Sequence, residues 1–172
     1  MTGAETTHEL AVDSIYIALL QLMEKKPYNE ITITDITKRA GVSRMAYYRN
    51  YESKDDILIK RLESITDKIS EKFRNHKYKD EKTALKEFFE TFQQEPILQK
   101  VVEAGRIDCL LDNHKKLMRV LYSDVLGKDL AKEENVMKMY IDMGRIVGMI
   151  QYCIDNGYSV DSKKIAKLLV EQ

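Results

Sequence analysis

Residues 32–54, TITDITKRAGVSRMAYYRNYESK, hold the tightest constraint in the chain: two short helices joined by a corner too narrow for anything but a fixed angle. Thr32 opens the first helix as an N-cap, and Asp35 three positions on completes a capping box. Ile33, Ile36 and Ala40 give that helix one apolar side, and Ala40 is small enough for a second helix to come close. Gly41 stops it, because the residue past a helix end often takes a positive φ that only glycine adopts without cost. Val42 should plug the corner, and Ser43 caps a second helix running from Arg44 to Asn50. Ser53 with Asp56 forms another capping box and starts the next helix at once. Helix, glycine turn, helix is the helix-turn-helix arrangement, whose second helix lies in the major groove of DNA.

On that second helix Tyr47 falls toward Ala40 and Val42, which leaves Arg44, Met45, Ala46, Tyr48 and Arg49 facing outward. Two arginines, a phenol and a methyl-sized residue suit base edges and the phosphates beside them. Lys54, in the first turn of the following helix, is placed to meet a phosphate. Formal net charge is zero over the whole chain, which argues against a broad polyanion binder. Between Lys25 and Lys54, however, seven basic residues face three acidic ones, a net of +4 that fits a small DNA footprint.

AGVSRMAYYRNYESKDDIL resembles the signature of the TetR/AcrR family of bacterial transcription regulators, and the preceding TITDITKR resembles that family's second helix. The likeness runs over more than twenty contiguous positions, with both caps and the turn glycine in place. Three positions depart from it: Met45 stands where Gly or Pro is frequent, Ala46 where Thr is common, and Tyr47 where Leu is usual. The resemblance implies a homodimeric repressor that sits on a (pseudo)palindromic double-stranded operator. Arg44, Met45 and Tyr48 would then meet bases and adjacent backbone. Thr34, Ala46 (through its backbone), Arg49 and Lys54 would fix register on phosphates.

The rest of the chain reads as helix throughout, about nine helices with no convincing strand, and so an all-α fold. Thr6 with Glu9 opens an amphipathic helix carrying Leu10, Ile15, Leu19 and Met23, which closes the module from a third side. Leu58, Leu62, Ile65, Ile69 and Phe73 mark a long helix from Ser53 to about Asn75. The division expected is therefore a DNA-binding part over residues 1–52, a connecting helix over 53–75 and a helical regulatory part over 76–172. Within the last, Ile107 to Val125 read as one helix, Asp129 to Asn156 as another, and a final one starts near Asp161. Gly144 and Gly148 lie one turn apart in a helix, where each costs about 0.5–1 kcal/mol relative to Ala, so close approach of another backbone is expected. GRIVGMIQYCIDNGYSVDSKKIAKLL also resembles the C-terminal end of many such regulators, where two subunits build a four-helix interface. That resemblance places Gly144, Gly148, Ile150, Ile165, Leu168 and Leu169 at a dimer contact.

Phe88, Phe92, Cys109, His114, Met118, Tyr122, Tyr140 and Met143 are candidates to line a cavity for an apolar small molecule, with core filling as the equal alternative. A second reading keeps the DNA module and gives the C-terminal helices a protein partner instead, as a co-regulator or activator. His8, His76 and His114 lie at no metal-ligand spacing, and no phosphate loop or activated nucleophile is present, so neither cofactor, metal nor catalysis is expected. Two cysteines outside any CxxC pair, no run approaching the ~20 apolar residues of a membrane span, and Glu5, His8 and Glu9 near the start point to a cytoplasmic protein.

Overall fold

Eight α-helices and no strand make up the described part of the molecule, residues 3–93, 95–156, 164, 167 and 168 of a computed structural model. In order they are α1 (Gly3–Met23), α2 (Ile33–Ala40), α3 (Arg44–Tyr48), α4 (Lys54–Arg74), α5 (Glu81–Gln93), α6 (Pro96–Glu103), α7 (Ile107–Val120) and α8 (Glu133–Asp155). A short 3-10 turn, Tyr28–Glu30, links α1 to α2.

α4 is the spine. Its buried residues recur along one side from Ile57 and Leu58 through Leu62, Ile65 and Ile69 to Phe73, the spacing that gives a helix one apolar stripe. The first of these pack with Ile15, Ala18 and Leu19 of α1, Ile31 of the loop, Ile36 of α2, and Tyr47 and Tyr51. Farther along, α4 packs on α5, α6 and α7. Leu110, Leu117, Met118, Leu121, Tyr122, Met139, Met143 and Ile146 complete that end, and the two ends form one continuous buried cluster.

Several polar groups inside this core are paired, two of the bonds joining residues distant in sequence. Thr66 on α4 donates to Asn113 Oδ1 on α7 at 3.2 Å, and Asn113 Nδ2 donates to the Cys109 carbonyl at 3.0 Å. Tyr122 donates its hydroxyl hydrogen to Asp142 at 2.5 Å, and Arg145 donates to the other oxygen of that carboxylate at 3.3 Å.

Three boundaries differ from the expected ones. α1 begins at Gly3, ahead of Thr6. α7 does not run to Val125: it gives way at Leu121 to a π-helical turn (Leu121–Val125), closed by the Leu126 amide donating to the Leu121 carbonyl. α8 begins at Glu133 rather than Asp129, because Asp129 Oδ1 instead accepts from the Ala131 amide and its carbonyl from Asn135, local bonds that compete with a helix start. Of the final helix expected near Asp161, only residues 164, 167 and 168 are described, and these are helical. Among the described residues no helix is long and apolar enough to cross a membrane.

Candidate nucleic-acid interface

The α2–α3 corner is built by local chemistry. Thr32 Oγ1 accepts from the Asp35 amide at 3.1 Å, and the Asp35 carboxylate accepts from the Thr32 amide at 2.9 Å. Lys26 donates to the same carboxylate at 2.8 Å. That bond, with those from Thr32, holds Asp35 well below the usual carboxylate range. At the other end Gly41 adopts φ 69°, a left-handed conformation, and the Val42 amide turns back to the Thr37 carbonyl at 3.1 Å. Ser43 Oγ then accepts from the Ala46 amide at 3.0 Å and starts α3. Arg39 donates to Gln21 Oε1 at 2.7 Å, which ties α2 to α1.

α3 is only five residues long, so its aim depends on Tyr47. That side chain is 0% exposed and lies edge-on to Tyr48 and tilted against Tyr51, with ring centres 5.4 and 5.8 Å away. Its hydroxyl has no hydrogen-bond partner among the described residues, so the ring is held by packing alone. With Tyr47 inward, Arg44, Met45, Tyr48 and Arg49 are all exposed, Met45 at 67% and Tyr48 at 48%. Ala46 is half-buried, and Thr34 is exposed on the first turn of α2. Arg44 and Tyr48 act as one unit: the guanidinium donates to the phenol oxygen at 3.3 Å and sits 5.9 Å from the ring centre. A large exposed methionine between two such groups, on a helix too short to bury it, presents apolar and cationic contacts side by side.

Lys54 is differently placed from the other expected contacts. Its ammonium donates to the carbonyls of Tyr28 at 2.6 Å and Ile31 at 3.0 Å, and lies 4.4 Å from the centre of the Tyr28 ring. Two of its three N–H donors close the α1–α2 loop, which leaves one for a phosphate. Its neighbour Asp55 accepts from the Tyr28 hydroxyl at 2.5 Å and from Arg106, just before α7, at 2.9 Å. Burial and then the Asp55 bond push the Tyr28 phenol well above its ordinary value. The start of α4 is thus clamped from the module on one side and from the α6–α7 turn on the other.

The other expected site residues scatter. His114, Met118, Tyr122 and Met143 are buried in the core, Cys109 is half-buried, and Tyr140 is exposed with the Lys115 ammonium 5.6 Å from its ring centre. Burial alone lowers the His114 pKa to about 4, so its ring is neutral at neutral pH. A cavity of about 10 Å³, lined by Leu85, Asp142, Arg145 and Ile146, lies beside them and has room for about one water. The side chains of Phe88, Phe92 and Ile150, and the whole of Ile165 and Leu169, lie outside the described residues. Gly144 and Gly148 are exposed, with no heavy atom of the described residues within 4 Å of where a Cβ would stand. Leu168 is also exposed. Among the described residues no three metal-ligating side chains come together.

Residues 15–60, from the middle of α1 into α4, match the profile of the bacterial regulatory proteins of the tetR family. Among solved structures, the fatty acid degradation regulator FadR from Bacillus halodurans is similar over 94% of this chain and 93% of that one, with a TM-score of 0.62 and 16% identity. At that identity the likeness is one of fold. No curated protein matches the chain in sequence.

Proposed function

We propose that the chain, whose residues 15–60 match the profile of the tetR family of bacterial regulatory proteins, is a DNA-binding transcription regulator of that kind, a homodimeric repressor released from its operator by a small-molecule effector. The observation that carries the DNA reading is the outward set Arg44, Met45 and Tyr48, displayed by a short helix whose opposite side is pinned through Tyr47. In this reading those three side chains meet bases and adjacent backbone. Thr34, the Ala46 amide and Arg49 fix register on phosphates. Lys54 acts chiefly by bracing the loop beneath them, since its ammonium already serves two carbonyls.

Two such helices, one per subunit, would enter successive major grooves about 34–36 Å apart. Support for a dimer comes from α8. Met137, Tyr140, Ile141 and Tyr152 are 47–61% exposed, at the three- and four-residue spacing of one helix face, and the two open glycines lie between them. Among the described residues no neighbour needs the space at Gly144 or Gly148, which leaves it open to a second copy. An effector acting through the α4–α7–α8 core would have to part Met118, Tyr122 and Met143, which are buried. Met side chains repack readily, which makes that opening feasible.

The test is an operator-binding assay on genomic fragments that the purified protein retains. Arg44→Ala with Tyr48→Ala is expected to weaken binding by about 100-fold or more, each good base contact contributing ~1–3 kcal/mol, while the melting temperature stays the same. Unchanged affinity would sink the assignment of α3 as the reading helix. Gly148→Glu is expected to give a folded monomer by light scattering, since the added side chain meets nothing among the described residues of its own subunit. A dimer surviving that change would place the interface elsewhere.

A further inference from the structure

A cleft of about 350 Å³ opens between the first half of α1, the end of α3 and the middle of α4, within the size range of small-molecule sites. Its walls combine three cations with two phenol rings. Arg61 lies 4.8 Å from the centre of the Tyr16 ring, and Lys60 lies 5.5 Å from the centre of the Tyr51 ring. Arg49, from the end of α3, adds a third positive charge.

The Arg61 guanidinium is the informative group. Its Nε is buried and has no hydrogen-bond partner among the described residues, and a buried polar atom without a partner calls for an explanation. Its ion pair with Asp13 is long, at 3.9 Å, where a well-formed charge-assisted bond is ~2.7–2.9 Å. Lys60 is already held, by Asp56 at 3.1 Å and by the Asn50 carbonyl at 2.7 Å. Burial pushes the Tyr51 phenol up to about 12 and raises Tyr16 as well, so neither ring adds negative charge at neutral pH. Asp13 and Asp56 are thus the acids set against Arg49, Lys60 and Arg61, with His8 and Ser64 at the rim.

We propose that this cleft binds a small planar anion, an aromatic carboxylate or its equivalent, with the charge on Arg61 and the ring between Tyr16 and Tyr51. Aromatic faces and a guanidinium already stacked on one of them recognise a flat anionic molecule at little ordering cost. The site shares Arg49 and the end of α3 with the interface proposed above. Occupancy would therefore alter operator affinity and, by linkage, operator would alter ligand affinity by the same factor. That consequence rests on the DNA reading; the binding itself does not.

The experiment is calorimetric titration of the full chain, without DNA, using benzoate, benzyl alcohol and inorganic phosphate as probes. Benzoate is expected to bind saturably. Benzyl alcohol, lacking the charge, and phosphate, lacking the ring, are each expected to bind about tenfold more weakly or worse. Arg61→Gln should weaken benzoate by about tenfold, Arg61→Lys should restore part of it, and Asp13→Asn should tighten it by about threefold by removing the competing carboxylate. Asp13 is largely exposed, so that variant keeps the test open even if Arg61→Gln fails to fold. Benzoate should also bind undiminished to the Arg44→Ala, Tyr48→Ala chain, which separates the cleft from the DNA surface. Absence of saturable benzoate binding, equal binding of benzyl alcohol, or an Asp13→Asn chain no tighter than the original would overturn the proposal.

Discussion

The helices of the α2–α3–α4 corner and those that enclose the far half of α4 start in different ways. α2, α3 and α4 each open on a hydroxyl, Thr32, Ser43 and Ser53, that accepts the amide three residues on. Around the far half of α4, α5 has a side-chain cap, the Thr83 amide donating to Asp80 Oδ1, while α6 and α7 open on Glu95 and Arg106 with no such cap. What holds α7 is distant: Asn113 against Thr66, and Arg106 against Asp55. The first region is shaped by bonds a few residues long, and the second by bonds that exist only once the chain has folded. Damage in the first should therefore stay local and predictable, whereas damage in the second should spread.

The largest effect should come where the local region borrows from the shared core. Tyr47→Ala is expected to cost about 3–5 kcal/mol by urea unfolding, because it empties the position that aims α3. Tyr47→Phe should be neutral or stabilising by up to ~1 kcal/mol, since the hydroxyl it removes has no partner among the described residues. A clear loss with Phe would show that the hydroxyl is used.

Next is a pH effect confined to the second region. His114 has a folded pKa of about 4 against an ordinary 6.5, so between those values the unfolded chain binds the extra proton. Stability from this group is present above pH 6.5 and lost as pH falls toward 4, on the order of 3 kcal/mol in full. His114→Gln should flatten that slope in unfolding curves taken across the window.

Ser43→Ala should cost about 1 kcal/mol, the usual value of an N-cap. Arg106→Ala, at a part-exposed ion pair, should cost less than Ser43→Ala by the same measurement. If Arg106→Ala proved the costlier, the capless helix would depend on that one bridge more than on its core.

This division also decides what could be read from residues alone. The Thr32–Asp35 capping box, the corner at Gly41 and the inward Tyr47 depend on neighbours within a few positions, so their spacing already specifies them; at Ser53 only the hydroxyl half of the expected box forms, since the Asp56 carboxylate accepts from the Glu52 amide instead. The exposure of Arg44, Met45 and Tyr48 follows from them in turn. The clamp on α4 does not: Tyr28 and Arg106 reach Asp55 from 27 and 51 positions away, and no local pattern marks them. Lys54 shows the same limit, since a lysine on the first turn of a helix looks solvent-bound until the loop carbonyls close over it. The π-helical turn after Val120 was hidden for another reason. Leu121, Tyr122 and Val125 keep an apolar spacing that fits an ordinary helix equally well.

α4 is an unbroken rod of 21 residues held by its first turn, so it is geared rather than hinged. At 1.5 Å per residue it is about 31 Å long, and a tilt of about 5° at the clamped end sweeps the far end through only ~3 Å. Read in reverse, a shift of one side chain's width among Ser70, Phe73 and their neighbours reaches the operator end as a few degrees of heading. A rod held this way turns a coarse displacement at one end into a fine one at the other.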